Sequence, residues 1–315
     1  MKARNVSFWT ALVTVAFGGV AHAVGVTRVT APGTDLAEAF DPAWGSDSQH
    51  LLVTRVQDLG GLDFVEHIDM VDFAGVRATW PKMLQGVVCR NPSLSPDGSK
   101  LAFVYDADGQ MGPHLFLLAN GSMTPTQLGT LSDDQMQPVW SPDGTRIAVT
   151  VQSALWIVNA ASGMAEQITE ATGGAIVPTW SPDGTQLAFC SGRSGSSIEV
   201  WKVAVGSHAL RQLTDNPSTD CEPSWSPDGL WIAFCTNRAG NFDIWVESAR
   251  GGGVAVQVTS GGGDDVQPSW SPDATRISFT STRDGMRQVY VTDPLPDLTL
   301  PVAPVSWTRV KTQYR

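Results

Sequence analysis

One short phrase occurs six times in this chain, and it constrains the fold more than any other feature. The best copies are Gln137-Pro-Val-Trp140-Ser-Pro-Asp143-Gly144, Val177-Pro-Thr-Trp180-Ser-Pro-Asp183-Gly184 and Glu222-Pro-Ser-Trp225-Ser-Pro-Asp228-Gly229. Asn91-Pro-Ser-Leu94-Ser-Pro-Asp97-Gly98 and Gln267-Pro-Ser-Trp270-Ser-Pro-Asp273-Ala274 are close copies, and Asp41-Pro-Ala-Trp44-Gly-Ser-Asp47 is a worn one. The aspartates step by 50, 46, 40, 45 and 45 residues. Strand-rich units repeating at about 40–50 residues are the mark of propeller blades.

Each unit reads as four antiparallel strands. In the unit that begins at Pro223, an inner strand ends at Trp225, and Pro227-Asp228-Gly229 makes the turn. Pro presets φ, Asp bonds the turn backbone and Gly accepts positive φ. Leu230–Cys235 is the second strand, Asn241–Glu247 the third and Ala255–Thr259 the fourth. Trp44, Trp140, Trp180, Trp225 and Trp270 supply one bulky packing residue per blade, with Leu94 in the remaining copy. Asp97, Asp143, Asp183, Asp228 and Asp273 are turn-builders. Ala274 stands where the other good copies have Gly, so a positive φ there would cost about 1 kcal/mol. The sixth unit lacks a fourth strand of its own after Val289–Asp293. Val26–Thr30, followed by a loop and Asp41-Pro-Ala-Trp44, has the grammar of Leu210–Thr214 followed by Glu222-Pro-Ser-Trp225. The sequence therefore predicts an all-β, six-bladed propeller over residues 24–297, with four-stranded antiparallel blades and the ring closed by the N-terminal strand. Residues 298–315 form a tail or an extra strand.

Met1–Ala23 reads as a secretory signal peptide. Lys2 and Arg4 precede an apolar run, and Ala21-His22-Ala23 suits the protease. The expected location is therefore the periplasm or the medium, with no membrane insertion after cleavage. With Lys2 and Arg4 removed, 18 basic side chains face 31 acidic ones, a net charge of −13. That surface repels phosphate backbones, so nucleic acid is not an expected partner. Export permits disulfides. Cys221 and Cys235 each lie seven residues from the turn at Asp228, which makes them the candidate pair. Cys89 and Cys190 receive no pairing from the sequence.

The W-S-P-D-G repeats resemble those of the TolB-type propeller family, over about residues 25–293. The resemblance implies a six-bladed ring. The family's namesake is a periplasmic part of the Tol–Pal envelope system that binds partner proteins. It also carries an N-terminal α/β domain, which has no counterpart in the short stretch between the signal and the first repeat here. Similar propellers serve as accessory domains of prolyl oligopeptidase-type and tricorn-type proteases and occur in polysaccharide lyases.

No residue is assigned a catalytic role. There is no G-x-S-x-G elbow, and His50, His67, His114 and His208 are scattered. The loops leading into the inner strands carry Asp133, Asp134, Asp220, Glu222, Asp264 and Asp265, read as loop-tip carboxylates that contribute little stability. Converging at one end of the channel, they would form an acidic mouth able to hold a cation or steer a basic segment. No cofactor is expected other than calcium at that mouth, and the metal is otherwise unassigned. The leading reading is a monomeric, non-enzymatic scaffold for other envelope proteins. The alternative is a carbohydrate-active or other small-ligand enzyme or sensor that uses the channel.

Overall fold

The computed structural model describes residues 11–17, 20–30, 36–45, 47–58, 64–72, 77–79, 89–105, 114–122, 124–129, 131, 135–195 and 197–295. The tail 298–315 lies outside them. Among the described residues every regular element is a strand, and six antiparallel sheets form a ring. Blade five shows the pattern: Asp220–Trp225, Trp231–Thr236, Asp243–Ser248 and Val256–Gln257 pair in that order. This is the six-bladed propeller that the repeats predict.

The repeated phrase builds the hairpin through side-chain bonds. Ser141 Oγ donates to Asp143 Oδ1 (2.5 Å) and accepts the Arg146 N–H (3.0 Å). Asp143 Oδ1 also accepts the Thr145 N–H at 3.0 Å, and Gly144 takes φ 67°. The Ser141 hydroxyl, working against partial burial, holds the Asp143 carboxyl at about 2. Ala274 occupies the glycine position at φ 58°, so this hairpin keeps the turn at the expense of strain.

Six apolar clusters fill the six seams between blades, and each contains the motif residue of the following blade. Trp140 packs with Ala102, Leu115 and Ile147. Trp180, Trp225, Trp270, Trp44 and Leu94 do the same in the other seams. Three indoles also cross the seam by donating to the neighbouring inner strand: Trp140 Nε1 to Ser93 O (3.1 Å), Trp180 Nε1 to Val139 O (3.0 Å) and Trp44 Nε1 to Ser269 O (2.9 Å). The last of these joins blade six to blade one.

The N-terminal segment supplies the missing strand. Val20–Arg28 pairs with Gln288–Thr292 through Val26↔Thr292, Thr27↔Val291 and Arg28↔Tyr290. Blades three, four and five each use a threonine to accept the N–H of the second residue of the third strand: Thr169 from Leu155, Thr214 from Val200 and Thr259 from Ile244, all at 2.9 Å. Thr30 accepts the Val289 N–H at 2.8 Å in the same way, and donates to Gln288 Oε1. Ala11–Phe17 adds a further strand outside Val20–Arg28. Cleavage after Ala23 would remove it and leave the bonds from Gly25 onward, including Asp293 N–H to Gly25 O, in place.

Two outcomes test this account. Thr30→Val leaves the Val289 N–H and the Gln288 amide without their buried partner, which costs about 1–3 kcal/mol. Deletion of residues 25–32 should lower the melting temperature further. An unchanged melting temperature in both variants would remove the clasp. Separately, Ala274→Gly relieves the left-handed strain and should stabilise the protein by up to about 1 kcal/mol in urea denaturation.

Candidate functional site

Each inner strand contains an X–Pro dipeptide ahead of the motif tryptophan or leucine, and these dipeptides line the central channel. Proline has no N–H for the ladder, so pairing skips at this point in all six blades. The residue before each proline is left-handed. Asp41, Asn91, Gln137, Val177, Glu222 and Gln267 have φ between 52° and 57°. For Val177, a β-branched residue, that conformation is unusual.

In blades four, five, six and one the N–H of X bonds the neighbouring blade. Val177 N–H donates to Gln137 Oε1 (3.0 Å), Gln267 N–H to Glu222 Oε2 (2.7 Å) and Asp41 N–H to Gln267 Oε1 (3.1 Å). Val177 has no acceptor to offer blade five. There the Glu222 N–H donates instead to Cys190 Sγ at 2.9 Å. Asn91 Nδ2 donates to Asp41 Oδ2 at 3.0 Å, and Gln267 Nε2 donates to Asp41 Oδ1. The ring forms an open-mouthed cavity of about 150 Å³ lined by all six X–Pro pairs.

Of the four expected mouth carboxylates that lie among the described residues, one lines this cavity. Glu222 does, and Asp41 joins it. Asp220 and Asp265 are 0% and 1% exposed, and pair with Arg238 and Arg283, each at 2.7 Å. They are therefore not loop-tip acids. Removing either charge would strand a guanidinium, at about 3–5 kcal/mol. Asp264 is exposed and caps the Phe242 N–H at 3.1 Å. Asp133 and Asp134 lie outside the described residues. Among the described residues no group of three or more His, Cys, Asp or Glu side chains is placed to hold a metal ion.

The disulfide also differs from expectation. Cys221 and Cys235 are register partners on adjacent strands, as the turn count requires. Cross-strand Cβ atoms sit about 4.5–5.5 Å apart, wide for a disulfide. Cys221 instead bonds Cys190 of blade four across the seam, with Cα atoms 5.1 Å apart. Cys235 stays a buried thiol and donates to Glu222 Oε2 at 3.3 Å. Burial, and then the Glu222 carboxylate, push the Cys235 thiol well above its ordinary range. Burial likewise raises Glu222, against the Gln267 N–H, the Cys235 thiol and the Arg287 charge.

The X–Pro ring is the feature that reading the repeats as plain strands misses. Its signal was the proline that all six copies carry two residues before the motif tryptophan or leucine, a residue with no N–H for a ladder.

With this geometry the chain can be placed by class: it has the fold of a TolB-type six-bladed β-propeller. The TolB beta propeller domain model matches residues 132–259. TolB from Acinetobacter baumannii is similar at 21% identity and a TM-score of 0.60, over 75% of this chain and 57% of that one. The chain thus spans little more than half of that protein. A putative TolB from Agrobacterium tumefaciens is similar at 20% identity and 0.64, over 91% and 99%. An oligogalacturonate lyase in complex with manganese is similar at 18% and 0.60, over 93% and 97%. No curated protein sequence matches. At these identities the likeness is one of fold.

Glu222 gives the test of the ring. Its folded-state pKa lies above the unfolded value, so the folded state holds the extra proton. The contribution of Glu222 to stability is therefore greatest at acid pH and is lost as pH rises from about 4.5 through the folded value. Glu222→Gln keeps an acceptor for the Gln267 N–H and removes that dependence, so it should be at least as stable as wild type at pH 8. Glu222→Ala strands the N–H and should cost about 1–3 kcal/mol. Urea denaturation at pH 5 and pH 8 reads both.

Proposed function

We propose that this protein is an exported, non-enzymatic interaction module of the cell envelope, and that it receives a basic side chain of a partner polypeptide in the central channel. The observation that carries this reading is the X–Pro ring, where Asp41 and Glu222 face one cavity of about 150 Å³. That volume suits a single cationic head group. It is below the roughly 300–1,000 Å³ of typical small-molecule sites, which favours a polypeptide anchor over a sugar substrate. Burial raises Glu222 and so works against its charge, and a cation placed beside it would offset that cost. The acidic chain, at −11 before any cleavage, would speed the approach of a basic partner. Export rests on the basic and apolar leader and its A-x-A site, and envelope residence on the likeness to TolB.

An arginine-containing peptide titrated by calorimetry tests the reading. The double variant Asp41→Asn/Glu222→Gln should weaken binding about tenfold or more, with the circular dichroism spectrum unchanged. Raising salt from 50 to 500 mM should weaken wild-type binding as well, because mouth charges are screened over about 8–10 Å at physiological ionic strength. Affinity indifferent to both the substitutions and salt would remove the site.

A further inference from the structure

Blades four, five and six each carry an arginine just after the second strand: Arg193, Arg238 and Arg283. All three are clamped alike. Nε donates to Ser191 Oγ (2.9 Å), Thr236 Oγ1 (3.2 Å) and Ser281 Oγ (2.9 Å), respectively. Each guanidinium lies against two rings. These are Phe189 and Trp201 at 5.1 and 5.4 Å, Phe234 and Trp245 at 5.5 and 4.8 Å, and Phe279 and Tyr290 at 5.4 and 4.8 Å. In blades five and six Nη2 completes the arrangement by donating to Asp220 and Asp265.

Blade four has the clamp without the acid. One repeated backbone bond fixes the equivalence: Asp220 N–H to Ile198 O (2.8 Å), Asp265 N–H to Phe242 O (2.7 Å) and Ala175 N–H to Ser153 O (2.7 Å). Ala175 therefore stands where Asp220 and Asp265 stand. The residue after each accepting carbonyl is Glu199, Asp243 and Ala154 in turn, so the second acidic position of this seam is also alanine. Arg193 Nη2 is buried and, among the described residues, has no hydrogen-bond partner. Burial lowers its pKa with no neighbouring charge to oppose it. A guanidinium stays protonated, so the charge is present and uncompensated.

The covering loops differ too. In blade four the second and third strands, Gln186–Ser191 and Glu199–Ala204, are joined by a longer connection whose Ser197 Oγ donates to Asn216 O at 2.9 Å on the side of the Arg238 seam. Over the Arg283 seam lies 237–242 of blade five, with Asn241 Nδ2 bonded to Gly263 O at 2.5 Å. The corresponding connection of blade three is the two-residue turn Gln152-Ser153, exposed and left-handed at φ 47° and 63°. The seam beside Arg193 is thus capped by the shortest of the three connections.

We propose that Arg193, in the seam between blades three and four, is a binding site for a carboxylate from outside the fold, which takes the place that Asp220 and Asp265 fill in the next two seams. The carboxylate is either a small free anion or the acidic side chain of a partner polypeptide. The test is thermal unfolding of the full chain in sodium formate or acetate against sodium chloride at equal ionic strength. The expected result is a carboxylate-specific rise of several degrees for wild type and none for Arg193→Met. Ala175→Asp should supply the partner internally, melt higher than wild type and no longer respond. Ala154→Asp is the second such variant should Ala175→Asp fail to fold. N-acetyl-aspartate methylamide separates the sources: a rise matching that of acetate marks a site open to a polypeptide side chain, and a rise with acetate alone marks a small-anion site. No carboxylate-specific rise in wild type with any of these probes overturns the proposal.

Discussion

The ring depends on how one backbone N–H per blade is disposed of. A proline in the inner strand breaks its own ladder, and the residue before it, left-handed at the bulge, has an N–H with no place in its sheet. A buried N–H without an acceptor costs about 1–3 kcal/mol. Here the deficit of one blade is met by a side chain of the blade before it: Gln137 for Val177, Glu222 for Gln267, Gln267 for Asp41. At these three positions the local defect thus becomes a bond between blades. The indole-to-carbonyl bonds and six apolar seams lie outside this collar and face the same way round the ring. Closure then depends on both ends of the chain, because blade six takes its outer strand from Val26–Thr30.

Much of this was legible in the sequence, and for a physical reason. Turn chemistry is local, so Ser-Pro-Asp-Gly announces its hairpin wherever it occurs, and five tryptophans at one phase of the repeat announce the seam. The clasp was legible because Val29-Thr30 repeats the Leu213-Thr214 phrase, and the threonine hydroxyl does the same work in both places. What was not legible depended on partners in another blade or another part of the same one. Asp220 and Asp265 look like polar loop residues until Arg238 and Arg283 are seen to fold back on them. The spacing is 18 residues in both blades, which was a usable signal. The disulfide was misassigned because counting from a turn gives only neighbours within one sheet. Cys190 reaches Cys221 across a seam that no local count describes.

The polar collar also separates two kinds of acid in this chain. Acids in the motif turns are held ionised by hydroxyls and backbone N–H groups, as in Asp97 and Asp143 at about 2, and their role ends with the hairpin. Asp243, Glu247 and Glu222 are instead raised by burial. Asp243 rises to about 6 through burial and then the nearby Asp265, and Glu247 to about 7, chiefly through burial. Glu222 is of the second kind but faces a cavity instead of a closed seam. A carboxyl that the fold disfavours as an anion, and that the channel leaves within reach, is the group most responsive to an arriving cation.

Blade four is where the repeat departs most from itself, and its departures are of two sorts. Val177 removes the acceptor that the other described links of the collar supply, yet the Glu222 N–H is still satisfied, because Cys190 Sγ lies 2.9 Å away and the Cys190–Cys221 bond holds it there. One substitution is thus answered by another within the fold. Ala175 removes the acceptor that Asp220 and Asp265 supply, and nothing in the described fold answers it. Arg193 keeps its hydroxyl, its two aromatic faces and its charge, and Nη2 remains unpartnered. Drift in a structural position tends either to be repaired or to take the dependent residue with it, since a donor left buried and unpartnered carries a desolvation cost. Retention of the whole clamp without its acid is the pattern left when the acid comes from elsewhere.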